Sequence, residues 1–84
     1  MSYRIAILPP AGKRMDKLPV ELFEKVRDVI RELSEIPRPR GCRKLIGRDG
    51  WRIRVNDYRI IYEIDDKDQS IVVLDIDHRR DVYR

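Results

Sequence analysis

The run from Trp51 to Ile64, WRIRVNDYRIIYEI, constrains this chain more than any other stretch. Apolar and charged residues alternate on both sides of Asn56-Asp57, and a period of two sends successive side chains to opposite faces of a strand. Asn and Asp both tolerate positive φ, so Asn56-Asp57 predicts a two-residue hairpin turn. The turn then fixes the pairing: Val55 faces Tyr58, Arg54 faces Arg59, Ile53 faces Ile60, and Arg52 faces Ile61. Paired residues share a face. One face carries Trp51, Ile53, Val55, Tyr58, Ile60 and Tyr62, which is a core. The other carries Arg52, Arg54 and Arg59, with Ile61 and Glu63 further along.

Arginines directly opposite each other repel, and like charges across a strand pair are destabilising. A well-patterned segment that breaks one local rule points to a functional site. The plainer reading is a row of ordinary solvent-facing charges, and the rest of the chain has to decide between them.

The 84 residues make a single domain over 1–84, near the lower end of what folds alone. Charged residues are 40% and hydrophobic ones 42%, which suits a small globular protein with a densely charged surface. The net charge of +4 is unevenly spread. Between Pro37 and Arg59 stand eight basic residues (Arg38, Arg40, Arg43, Lys44, Arg48, Arg52, Arg54 and Arg59) and two acids, Asp49 and Asp57. Acidic residues gather instead in Glu21–Glu35 and Asp65–Asp77. Local basicity of this kind is the footprint of a surface that faces a polyanion.

Cys42 is the single cysteine, so no disulfide can form within the chain. No secretory signal or membrane-length apolar run is present, and a reduced cytoplasm is the expected compartment. One Cys and one His exclude a zinc-type ligand set, and the glycines fit neither a Walker nor a Rossmann spacing. No metal or cofactor is expected.

Tyr3–Leu8 reads as a first strand, with Tyr3, Ile5 and Ile7 on one face, ended by Pro9-Pro10. Ala11, Met15 and Leu18 recur with helical spacing and predict a short helix from about Pro10 to Leu18. Pro19 opens a second helix whose apolar stripe is Leu22, Phe23, Val26, Val29, Ile30, Leu33 and Ile36, stopped by Pro37 and Pro39. Arg38–Gly50 reads as a loop anchored by Leu45 and Ile46. Ile71–Ile76 reads as a central strand buried on both faces. The predicted order is β-α-α-β-β-β, an α+β fold in which two helices cover one face of an antiparallel meander sheet. The arginine face of the hairpin is then the open one.

Arg79 and Arg80 follow the last strand, and Tyr83 comes next, so guanidinium groups and a phenol converge on that face. Arginine suits phosphate, and aromatic rings stack on unpaired bases. Cutting RNA through its own 2′-hydroxyl needs a base, a stabiliser for the charged phosphate and an acid for the leaving oxygen. Clustered arginines supply the second, but arginine effectively does not titrate. Tyr83 and His78 are the candidates for proton transfer.

At KLIGRDGWRIRVNDYRIIYEI and IDHRRDVY the sequence resembles the RelE/ParE superfamily of toxins from toxin–antitoxin pairs, on the RelE side. The most specific pieces are Lys44-Leu45-x-Gly47, Tyr58–Tyr62 and His78–Tyr83, and the resemblance spans essentially the whole chain. It implies a RelE-like fold and a ribosome-dependent mRNA endoribonuclease that inhibits translation. It implies catalytic roles for Arg52, Arg54, Arg59, Arg79 and Tyr83, and RNA contacts for Arg43, Lys44, Arg48, His78 and Arg80. The implied partners are a cognate antitoxin, the ribosome and mRNA, with DNA reached only through the antitoxin and no membrane. Well-studied RelE members carry lysine where Arg52 and Arg54 stand. A lysine can act as a base and an arginine cannot, so here either Tyr83 or His78 takes that role, or Arg54 only stabilises charge. The competing readings are a ParE-like poison of DNA gyrase and an inactive binding module on the same fold.

Overall fold

The computed structural model describes residues 2–78. Strand β1 (Arg4–Ile7) leads into helix α1 (Pro9–Asp16) and helix α2 (Val20–Glu35). Strands β2 (Arg43–Lys44), β3 (Trp51–Val55), β4 (Tyr58–Asp65) and β5 (Ser70–His78) follow. The sheet order is β1-β5-β4-β3-β2. The β2–β5 run is antiparallel, and β1 joins β5 in parallel, so the sheet is mixed and not purely a meander. The short edge strand β2 lies inside the stretch read from sequence as loop.

The hairpin has the expected register: Val55 opposite Tyr58, Arg54 opposite Arg59, Ile53 opposite Ile60 and Arg52 opposite Ile61. Asn56 adopts φ 55°, the left-handed conformation that a two-residue turn demands. Both helices pack on one face of the sheet. Ala11 and Met15 from α1 and Val26, Ile30 and Leu33 from α2 meet Val55, Ile60, Tyr62, Ile71, Val73 and Ile76 in one core. Full burial of a side chain such as Leu33 is worth about 1.5–3 kcal/mol, so the three buried residues of α2 hold that helix down more firmly than its own propensity does. Tyr62 is fully buried, and its hydroxyl donates to the Pro37 carbonyl at 2.9 Å, which pins the segment leaving α2. Burial pushes the Tyr62 phenol pKa well up.

β5 departs from strict alternation. Tyr62 pairs with Val73 but Ile61 pairs with Asp75, so Leu74 is an extra residue in the ladder. Without this bulge, Ile71 and Val73 would be followed on the core face by Asp75 and Asp77. With it, Ile76 enters the core fully buried and both carboxylates turn to the other face. One unpaired ladder position costs less than two buried carboxylates. β5 is accordingly buried on one face only: Val72 and Leu74 are half-buried, against the expectation of burial on both faces.

Three apolar expectations fail at the edges of elements. Ile7 is 43% exposed at the end of an edge strand, Ile36 is 60% exposed where α2 gives way to extended backbone, and Ile46 is 98% exposed at a loop tip. Leu45 alone anchors the β2–β3 loop, half-buried against Gly50. Among the described residues no helix is long and apolar enough to cross a membrane.

Gly50 has φ +119°, and a Cβ there would meet Leu45 Cδ1 at 3.0 Å and the Tyr62 carbonyl oxygen at 3.2 Å. Gly12 lies within α1 with nothing near its missing Cβ. Gly50→Ala is therefore expected to destabilise by about 1–3 kcal/mol. Gly12→Ala is expected to stabilise by roughly 0.5–1 kcal/mol. Urea unfolding of both variants checks the opposite signs.

Candidate functional site

The helix-free face of the sheet carries two cross-strand rows set by register alone. Arg43, Arg52, Ile61 and Asp75 form one across β2, β3, β4 and β5. Arg54, Arg59 and Asp77 form the other across β3, β4 and β5. The first row is partly apolar and the second is wholly charged, with the like-charged pair flanked by a carboxylate.

Arg52, Ile61 and Asp75 of the first row and Arg59 and Asp77 of the second line an open groove of about 640 Å³. Ile61 and Leu74 supply apolar surface, Leu45 and Ile46 come from the β2–β3 loop, and Arg48, Arg52, Arg59, Asp75 and Asp77 supply charge. The face is less open than sequence implied. Arg59 is only 3% exposed and Ile61 7%, so both belong to the floor, while Arg54 stands exposed at its side. A guanidinium held in a nearly buried position is preorganised for an anion, because little of its ordering remains to be done on binding.

Beyond Ile7 and Leu8, no strand among the described residues covers the outer edge of β5. Side chains close that edge instead. Asp75 Oδ1 accepts from the Ile76 amide at 2.8 Å, and Arg14 of α1 donates to the Ile76 carbonyl at 3.4 Å. Arg14 also reaches Asp75 through Nε at 3.3 Å and Asp77 through Nη1 at 3.4 Å. These half-exposed ion pairs are worth about 0–1 kcal/mol each, so they orient the carboxylates more than they stabilise the fold.

The predicted site residues divide by face. Arg43, Arg52, Arg54 and Arg59 share the helix-free face, and Arg48 lines the groove there. Lys44 pairs with Trp51 in register, and its ammonium lies 5.5 Å from the indole centroid, away from the arginine rows. His78 pairs with Tyr58, a core-face residue, and their rings meet edge to face at 5.0 Å. The structure thus leaves His78 on the side opposite the arginines. Arg79, Arg80 and Tyr83 lie outside the described residues. Asp75, Asp77 and Arg14 are the groove-associated residues that sequence reading missed. The change of apolar parity between Val73 and Ile76 was the signal that could have found the two carboxylates.

A second polar cluster closes the opposite end of the sheet. Arg38 donates to both carboxylate oxygens of Asp66 at 3.3 and 2.9 Å, and Tyr3 donates its hydroxyl to Asp66 at 2.7 Å. The Arg38 guanidinium also lies 5.1 Å from the Trp51 ring centroid, a cation–π distance. The cluster ties the segment after α2 to the β4–β5 turn, which is a structural task. Among the described residues no group of three or more His, Cys, Asp or Glu side chains converges on a metal position.

Comparison with known proteins agrees along the whole chain. A family model described as the ParE toxin of type II toxin–antitoxin system, parDE, matches residues 5–83. Toxin RelG of Mycobacterium tuberculosis is 33% identical over 89 aligned residues, spanning 100% of this chain and 99% of RelG. A chain of the archaeal RelE–RelB complex from Pyrococcus horikoshii superposes with a TM-score of 0.85 at 32% identity, covering 94% of this chain and 97% of that one. The isolated RelE toxin of E. coli gives a TM-score of 0.79 at 26% identity, covering 98% and 92%.

The hydrogen bonds from Arg38 and then Tyr3 hold the Asp66 carboxyl below its ordinary pKa. A depressed folded-state pKa contributes stability that is present above the unfolded value, about 3.9, and is lost as pH falls through the folded one. Asp66→Asn is therefore expected to be less stable than the wild type at neutral pH, with the gap closing as the pH drops below about 4. Urea midpoints across that range check it; a gap that persists in acid contradicts the assignment.

Proposed function

The chain belongs to the RelE/ParE superfamily of type II toxins, and on that premise we propose that it is a ribosome-dependent mRNA endoribonuclease neutralised by a cognate antitoxin. The observation that carries this reading is the groove on the helix-free face, with Arg52, Arg54 and Arg59 in two adjacent cross-strand rows. Arg52 and Arg59 line it, the second nearly buried, which suits a phosphate that gains negative charge at the transition state. The apolar patch of Ile61, Leu74 and Ile46 offers contact to a base or ribose beside that phosphate.

In this reading the arginines grip the scissile phosphate of an mRNA held in the ribosomal A site. The 2′-hydroxyl attacks, leaving a cyclic phosphate on one fragment and a 5′-hydroxyl on the other. Arg79 adds a further positive charge and Tyr83 donates the proton to the leaving oxygen, both roles taken from the family resemblance. Arg43 and Arg48 extend the basic surface along the RNA, and Arg80 is proposed as a further RNA contact on the family resemblance alone. Lys44 and His78 also carry an RNA-binding proposal, although their positions favour contacts at the sheet edge over contacts with the scissile phosphate.

A cognate antitoxin is the natural partner, since the P. horikoshii relative was solved as a RelE–RelB complex. An acidic antitoxin segment would meet the arginine rows with charge complementarity, which speeds association more than it adds affinity. The description of the matching family as ParE favours a second reading, a gyrase poison. Gyrase poisoning does not call for an arginine groove of this kind.

Expressed without a partner, the protein is expected to arrest growth by stopping translation. DNA breakage with an SOS response and intact translation would establish the gyrase reading instead. In a ribosome-dependent cleavage assay, Arg54→Ala and Tyr83→Phe should each lower the rate by roughly 10²–10³-fold. Arg54→Lys should retain or raise it, because a lysine can also titrate.

A further inference from the structure

Cleavage through the 2′-hydroxyl needs a proton acceptor, and the hairpin side chains that line the groove, Arg52, Arg59 and Ile61, offer none, since arginine stays protonated at any working pH. The bulge in β5 brings a carboxylate to the same face. Asp77 is the register partner of Arg59, and Arg59 is the partner of Arg54, so the three side chains stand in one row. Asp77 lines the groove together with Arg52 and Arg59. Its side chain is 28% exposed, which leaves it reachable from the groove. Asp75 is the other carboxylate there, but it stands in the row of Arg52 and Ile61 and not beside the facing pair Arg54 and Arg59. His78, the single histidine of the chain, is on the opposite face.

We propose that Asp77 is the proton acceptor for the attacking 2′-hydroxyl. This rests on the ribonuclease reading above. The carboxylate takes the 2′-hydroxyl proton as the oxygen forms its bond to phosphorus. The bond from phosphorus to the 5′-oxygen breaks, and its electron pair stays on that oxygen. The 5′-oxygen then takes a proton from Tyr83 or from water. Charged groups surround Asp77: Arg14 from α1, Arg59 from β4, Arg54 one strand further, Asp75 on its own strand, and Arg48 and Arg52 across the groove. Arg14 Nη1 donates to Asp77 Oδ1 at 3.4 Å.

The test is the single-turnover rate of mRNA cutting on ribosomes between about pH 6 and about pH 8.5, where an ordinary carboxylate is already ionised. The wild-type rate is expected to be flat across that range. Asp77→Asn should be slower by about 10²–10⁴-fold, and its rate should rise about tenfold per pH unit, since hydroxide must then remove the proton. Asp77→Glu, which keeps a carboxylate, should retain a flat profile and part of the rate. Circular dichroism verifies folding, and the Asp77→Glu profile decides the matter if Asp77→Asn does not fold. A wild-type rate that rises with pH, an Asp77→Asn profile parallel to the wild type, or a rising Asp77→Glu profile each overturns the assignment. Undiminished cutting by Asp77→Asn overturns this inference alone, whereas a wild type that cuts nothing on ribosomes overturns the ribonuclease reading and this inference with it.

Discussion

The register between β3 and β4 governs the rest of the molecule. Because side chains alternate with a period of two, the core and the arginine rows are two consequences of one alignment. Ile60 and Tyr62 are fully buried on one face of β4, and Arg59 and Ile61 sit between them on the other. A slip by one residue would send the apolar set into the groove and the arginines into the core. Burying Ile60 and Tyr62 is worth about 1.5–3 kcal/mol each. A like-charged cross-strand pair costs only about 0.2–1 kcal/mol, so the core wins and the facing arginines are tolerated.

The bulge at Leu74 is the second alignment decision, and its consequence for the groove is as large. Val73 and Ile76 are both fully buried although they stand three positions apart, which uninterrupted alternation forbids. The extra residue resolves that conflict in favour of the core. Its by-product is that two carboxylates join the arginine face in place of entering the interior. Arg14 then reaches from α1 to both of them, so helix packing and groove electrostatics are linked through one side chain.

What was legible in the sequence follows from how local each interaction is. The Asn56-Asp57 turn and the strands beside it carry their whole pairing within fourteen consecutive residues, and every one of the pairs read from them is present. The amphipathic stripe of α2 was legible for the same reason, apart from Ile36 past its last turn. Features that depend on partners far along the chain were not legible. The pairing of Arg43 and Lys44 with Arg52 and Trp51 needs the whole loop to fold back. The near-burial of Arg59 needs walls that come from β5 and the β2–β3 loop. The face taken by His78 depends on the bulge, since without that extra residue its parity in β5 would be reversed.

The arginine rows also explain why a stable fold can hold a surface that is locally unfavourable. Self-repulsion between Arg54 and Arg59 is a standing cost in the unliganded protein, reduced on one side by Asp77 in the same row. In the proposed reading an incoming phosphate relieves that cost and meets arginine side chains already placed by the register, so the charge that destabilises this face is the charge that would bind. Asp77 limits the field without filling the groove. An acid in that row therefore has to be reconciled with phosphate binding, because it opposes a bound anion. A carboxylate that accepts a proton as the attacking oxygen bonds to phosphorus loses its charge as the phosphate gains one. That exchange turns a ground-state repulsion into an advantage that exists only at the transition state.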